Sequence, residues 1–200
     1  DIACNDGTLL RQVPDHMIKV GIDPADDSFI AESSKHAKVI QDFFTRDAWN
    51  RLELGLDAKA KVITCIAMFY DLDDPRSFIR DVHSILADDG VFVLQMSYTP
   101  LMLKQLAFDN ICHEHVYYYD LNSIKKLFEG EGFVLRDCTL NDANGGSFRV
   151  TFQKADADEK TFATRQIRDV CEMRVASTLQ YEKTNWDITS EELWKEFLKI

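Results

Sequence analysis

Residues 133–153 read FVLRDCTLNDANGGSFRVTFQ. Two runs rich in β-branched and aromatic residues, 133–139 and 147–153, flank the turn residues Asn144, Gly145 and Gly146. They lie close in sequence with no helix between them, which predicts an antiparallel pair. Upstream, strand-like and helix-like segments alternate to residue 154, the rhythm of βαβ units around a parallel sheet. Asp1-Ile2-Ala3 reads as the last residues of a strand. Further strands are expected over 18–22, 37–40, 61–66 and 91–96, the last announced by the turn Asp88-Asp89-Gly90. Helices are expected over 24–36, with Pro24 in its first turn, and over 75–86, with Phe78, Ile79, Val82, Ile85 and Leu86 on one face. A third is expected over 121–129, between an Asp120 N-cap and a Gly130 stop.

Five parallel strands closed by an antiparallel pair are the strand plan of an α/β class I methyltransferase. A plain dinucleotide-binding sheet would continue with another crossover helix. Residues 1–154 are therefore read as one such core with its first strand cut short. From Ala155 the composition turns charged and helical. Thr189-Ser190-Glu191-Glu192 reads as a capping box opening a last helix with Leu193, Trp194, Phe197 and Leu198 apolar. Residues 155–200 are expected to be a helical bridge toward a further module, packing poorly on the sheet.

The chain has 200 residues, 46% of them hydrophobic and 28% charged, which suits one α/β domain with an appendage. Its net charge of −11 repels phosphate backbones and anionic lipid, so nucleic acid and membrane are discounted as partners and a small-molecule substrate is favoured. No apolar run reaches the roughly 20 residues of a membrane span. Five cysteines at wide spacing, with no CxxC pair, argue against a disulfide framework or a metal site, and point to a reducing cytoplasm.

The opening DIACNDGTLL, residues 1–10, carries an acidic residue in a strand, then a tight turn, then a helix start. Backbone N–H groups at such a turn can approach a ligand closely. Asn5 and Asp6 are candidates for an amino-acid ammonium, with Asp1, Ala3 and Gly7 shaping the loop. Asp23 closes the second strand, where a carboxylate can accept both hydroxyls of a ribose, and Pro24 follows it. Asp42 and Phe43 follow the third strand and offer an adenine one hydrogen bond and an apolar wall. Ala67 and Met68 follow the fourth strand and complete the lining. An acidic residue after a strand is commonplace alone, and Phe43 with Phe44 could be core. The ordered set on successive strands points to S-adenosylmethionine. NAD is the competitor, but its G-x-G-x-x-G fingerprint is absent, the loop having Gly7 alone.

Residues 108–119 read FDNICHEHVYYY and follow the fifth strand, where open α/β sheets hold their substrates. Histidine exchanges protons near neutral pH, and an adjacent carboxylate can orient it. A solvated loop, an incomplete metal site and a tyrosine-rich sheet edge are equally open on these residues alone. The segment 62–119, with ITCIAMFYDLDDP and FDNICHEHVYYYDL, resembles the sugar C-methyltransferase family, as do DIACNDGTLL, GIDPA and NGGSFRV. The likeness spans about residues 1–153. It implies S-adenosylmethionine as cofactor and a nucleotide-linked deoxy-keto-sugar as substrate. It further implies His115 as the base that removes a proton beside the ketone, Glu114 as its partner, and His113, Tyr70, Tyr98 and Asn144 as substrate contacts. Family members often carry tyrosine where this chain has Cys112; a thiol is a weaker hydrogen-bond donor than a phenol, so that role must move, with Tyr70 and Tyr98 the candidates. The family also carries an N-terminal zinc module and a C-terminal α/β module, neither of which lies in this stretch. Two rival readings are an O- or N-methyltransferase of another small molecule and a non-catalytic fragment used for binding or assembly.

Overall fold

The computed structural model describes residues 1–55 and 57–185. The chain runs β1 (Val20–Ile22), α1 (Asp27–Ser33), β2 (Lys38–Ile40), α2 (Arg46–Asn50), β3 (Ala60–Ile66), α3 (Pro75–Ile85), β4 (Leu86–Ser97), α4 (Thr99–Lys104), α5 (Leu121–Glu129), β5 (Phe133–Asn141), β6 (Ser147–Lys154) and α6 (Arg165–Asn185). β1 and β2 pair in parallel, and β3, β4, β6 and β5 lie side by side in that order. Ile2 bridges Ile22 on one side and Cys65 on the other, both in parallel, and so joins the two sets into one sheet. β6 runs antiparallel to both neighbours, β4 and β5. This is the class I methyltransferase plan that residues 133–153 announce.

The alternation of the strands decides where the core lies. Ile63, Cys65, Phe92, Leu94, Met96, Phe148, Val150 and Phe152 are buried, together with Phe78, Ile79, Val82 and Ile85 of α3 and Leu121, Ile124 and Phe128 of α5. The Phe128 and Phe152 rings stack 4.1 Å apart at 9°. Each such buried ring contributes about 1.5–3 kcal/mol relative to exposure. Both helices start on aspartate caps: Asp74 accepts the Ser77 N–H, and Asp120 forms a capping box with Ser123.

Three local expectations are corrected. α1 begins at Asp27, so Pro24 sits in the preceding loop and not in a first helical turn. Asp88-Asp89-Gly90 is no turn but part of β4, which starts at Leu86 opposite Ala60 and regains register at Val91 opposite Val62. The irregularity absorbs the extra residues without breaking the strand.

The third correction concerns α6, which packs against β5 instead of hanging loosely. Arg174 makes two hydrogen bonds to the Asp137 carboxylate, Nε to Oδ1 and Nη2 to Oδ2, both 2.8 Å. Cys171, Thr178 and Glu182 are buried at helical spacing, with Val175 and Leu179 against the main core. The inward stripe of α6 thus mixes apolar and polar anchors, and its charged composition disguises it. The last helix expected from Thr189 lies outside the described residues. No helix among the described residues is long and apolar enough to cross a membrane.

Glu182 is 4% exposed, and burial raises its carboxyl above its ordinary 4.5, against the hydrogen bonds it accepts from Tyr98, Leu121 and Asn122. Asp120 and Cys138 are the other acidic groups facing it. The folded chain therefore keeps a proton on Glu182 at pH values where the unfolded chain has lost it. That stability is whole below about pH 4.5 and is lost as pH rises through the raised value. Urea melts of the parent and Glu182→Gln should show the parent's advantage shrinking from pH 4.5 toward 7; an advantage that grows with pH would show the carboxyl titrating below its ordinary value.

Candidate active site

The carboxyl ends of β1, β2, β3 and β4 and the strand end at Ile2 lie along one edge of the sheet, because these strands are parallel. The loop after Ile2 turns through left-handed backbone at Ala3 (φ 58°), Asn5 (φ 48°) and Gly7 (φ 77°). A Cβ on Gly7 would sit 2.9 Å from the Ser33 Cα, so only glycine fits against α1 there. Asp23, 6% exposed, accepts the Asn5 N–H at Oδ2 and the Ala25 N–H at Oδ1, both at 2.7 Å. One carboxylate thus holds the loop after Ile2 and the loop after β1, and each oxygen keeps a lone pair for a ligand hydroxyl.

The other cofactor candidates surround this pair. The Asp1 carboxylate accepts the Thr64 hydroxyl at 2.6 Å and stays within the sheet. Asp6 accepts from the Thr8 N–H and hydroxyl and faces Arg11, contacts that hold its carboxyl below the usual carboxylate range. Asp42 is salt-bridged to Arg51 and accepts the Phe43 N–H, so an adenine amine would compete with Arg51 for it. Phe43 is 73% exposed, while Phe44 packs on Phe78. Pro24 follows Asp23 directly. Ala67 (φ 55°) donates its N–H to Gln95 and turns the chain off β3, and Met68 is half-buried against the core.

Past Met68, Tyr70 is 7% exposed, and its carbonyl accepts the N–H groups of Val116 (3.0 Å) and Tyr117 (3.1 Å). These bonds lay the histidine segment over the end of β3. The His115 ring lies 4.0 Å from the Tyr70 ring, centre to centre. Burial pushes the Tyr70 hydroxyl up to about 12, so it remains a donor at neutral pH. Glu114 faces His113, at 3.3 Å, and the Cys112 thiol, whose hydrogen bond is the main cause holding the Glu114 carboxyl below the usual range. Toward His115, Glu114 acts through its charge alone. Asp71 is raised by partial burial, which the His115 imidazole opposes. Sequence reasoning missed Asp71; the signal available was its place beside Tyr70 in FYDLDD. His113 is exposed.

Tyr98 is corrected. It is fully buried, and its hydroxyl donates to Glu182 at 2.7 Å, so it braces the fold and does not face a substrate. Asn144 is exposed at the turn before β6, in left-handed backbone (φ 49°, ψ 45°). Its carbonyl accepts from Asn110, which also accepts the Ser97 hydroxyl and so ties the turn to the start of the histidine segment. A Cβ on Gly145 would meet Ala107 at 2.3 Å, which accounts for glycine at this contact. Among the described residues, no group of three or more His, Cys, Asp or Glu is placed to hold a metal ion.

Comparison with known proteins bears on this geometry. A family described as a methyltransferase domain matches residues 1–137. The C-methyltransferase NovU of Streptomyces niveus is 31% identical over 143 residues, covering 70% of this chain and 33% of that protein. The chain therefore spans about a third of the length of this curated relative. An S-adenosylmethionine-dependent methyltransferase of Clostridium acetobutylicum superposes with a TM-score of 0.57 at 13% identity, over 77% of this chain and 82% of that one. The magnesium protoporphyrin IX methyltransferase of Synechocystis, solved with bound S-adenosylhomocysteine, also gives 0.57, at 14% identity over 77% and 72%. These two likenesses show the fold.

Asp23→Asn leaves one acceptor oxygen where two backbone N–H groups need one each. The variant should lose about 1–3 kcal/mol of stability. Its affinity for S-adenosylhomocysteine by calorimetry should fall by roughly tenfold or more, on the scale of 1.4 kcal/mol per decade. Wild-type affinity in this variant would remove Asp23 from the cofactor site.

Proposed function

The chain belongs to the methyltransferase domain family, and from that footing we propose that it C-methylates a nucleotide-linked keto-deoxysugar, with His115 as the base. S-adenosylmethionine is the cofactor of this fold, and the loop at Gly7 with the doubly held Asp23 suits it: a close backbone cradle and a carboxylate with lone pairs to spare. The observation that carries the reading is the seating of His115 against Tyr70, in the turn that follows β3. Similarity to a C-methyltransferase supports the choice of carbon as acceptor.

A carbon beside a ketone becomes nucleophilic only when its proton is removed. His115 takes that proton, and the electron pair of the C–H bond moves into an enolate. The protonated Tyr70 hydroxyl is suited to donate to the enolate oxygen, the role that Cys112 fills poorly in place of a tyrosine. Asp71 and Glu114 both interact through charge with the imidazole that receives the proton. When bound, S-adenosylmethionine supplies the electrophilic methyl group, its carbon–sulfur bond breaking as the new carbon–carbon bond forms. Asn5, Gly7 and Asp23 fix the cofactor end of this arrangement, and the Tyr70 carbonyl fixes the base end.

A positioned general base is worth about 10²–10⁴ in rate. His115→Ala should lose that factor in methyl transfer to a nucleoside diphosphate-linked keto-deoxysugar while affinity for S-adenosylhomocysteine stays unchanged. Exchange of the substrate's α-hydrogen with heavy water, measured by NMR without cofactor, should vanish with it. Exchange at the wild-type rate in the variant would place the base elsewhere.

A further inference from the structure

The segment bearing His113, Glu114 and His115 leaves the sheet after Tyr98, the residue that follows β4, runs through α4, and ends at Leu121, the first residue of α5. Both flanking residues are bonded to one carboxylate. Glu182 Oε1 accepts the Tyr98 hydroxyl at 2.7 Å and the Leu121 N–H at 2.6 Å, and Oε2 accepts the Asn122 N–H at 3.0 Å. Just inside this clasp, the Thr99 N–H and hydroxyl both donate to the Tyr119 carbonyl, at 3.1 and 2.8 Å. The segment is thus closed at its base by Glu182 and held over β3 by the Tyr70 carbonyl.

We infer that Glu182 is a positioning residue for His115, its carboxylate clasping both ends of the Thr99–Asp120 segment so that the imidazole stays seated on Tyr70. The inference rests on the reading of His115 as the base. Glu182 belongs to α6, beyond the residues 1–137 matched by the methyltransferase domain family, so the helix after the sheet sets the geometry of a loop inside the domain. The chemistry favours a carboxylate in this place. The N-terminus of α5 offers two N–H groups without helical partners, and the buried phenol of Tyr98 needs an acceptor; one carboxylate satisfies all three. An apolar side chain there would leave two buried donors and one half-buried donor unpaired.

The test uses Glu182→Ala and Glu182→Gln in the whole chain. Glutamine keeps one oxygen for Tyr98 and Leu121 and loses the acceptor for Asn122, so it preserves the fold if alanine does not. The readouts are amide exchange at Val116 and Tyr117, the NMR titration of the His115 ring, and calorimetric affinity for S-adenosylhomocysteine. Exchange at Val116 and Tyr117 should accelerate about tenfold or more in the alanine variant and by less in glutamine, the scale of a lost charge-assisted hydrogen bond. The His115 titration should shift, amides in β3 and β4 should accelerate by clearly less than those of Val116 and Tyr117, and cofactor affinity should stay at the parent value. Unchanged exchange and titration in both variants overturn the inference. Equal acceleration throughout β3 and β4 also overturns it, by showing a general structural role. Loosened Val116 and Tyr117 in the Glu182 variants, combined with undiminished α-hydrogen exchange in His115→Ala, would keep the clasp and defeat only the assignment of the base.

Discussion

Everything at the carboxyl edge depends on the backbone of Ile2. Its N–H donates to the Thr64 carbonyl, and the Ala3 N–H donates to Ile22, so one extended residue stitches β1 and β2 to the larger part of the sheet. Without that seam, Asp23 at the end of β1 and Ala67 at the end of β3 would belong to separate units. With it, the Ala3–Gly7 loop is forced between them, and the Asp23 carboxylate can reach across to Asn5. Parallel pairing then sends every following loop to the same side, which is why residues far apart in the chain meet along one edge of the sheet.

Polar contacts, not apolar ones, set the fine geometry at this edge. The apolar core between the sheet and α3 and α5 is large, but its contacts are non-directional. The loops are held instead by directional bonds: Asp23 to two backbone N–H groups, the Tyr70 carbonyl to two more, and Asn110 between Ser97 and Asn144. Each fixes a distance and an angle, which a hydrophobic contact does not. A chain with a net charge of −11 also needs its buried and half-buried carboxylates committed to donors, and Asp23, Glu182 and the half-buried Asp137 all are.

What could be read from the sequence was what is decided locally. The β5–β6 pair, the Asp120 cap with the Gly130 stop, and the apolar face of α3 depend on residues a few positions apart. The loop after Ile2 was legible as a tight turn because Asn and Gly tolerate left-handed backbone, and the structure puts Asn5 and Gly7 there. Misreadings arose where a distant partner decides the outcome. Tyr98 looks like a site residue at a strand end until Glu182, far along the chain, claims its hydroxyl. α6 looks like a solvated bridge until Asp137 pairs with Arg174. Asp71 became visible only when the backbone of Val116 and Tyr117 brought His115 over Tyr70, its neighbour in the chain.

The antiparallel β6 has a consequence for synthesis. Among the described residues it is the last strand of the sheet in sequence, yet it lies inside the sheet, between β4 and β5. Until it arrives, the growing chain presents one whole side of β4, whose run VFVLQM carries no charge, as a bare row of backbone donors and acceptors. Such an edge is a template for pairing with other chains. The boundary at residue 137 falls inside β5, before β6 begins. A domain cut there would keep the loops after Ile2, β1 and β3 and still expose that edge to other chains, because the strand that seals the sheet would be missing.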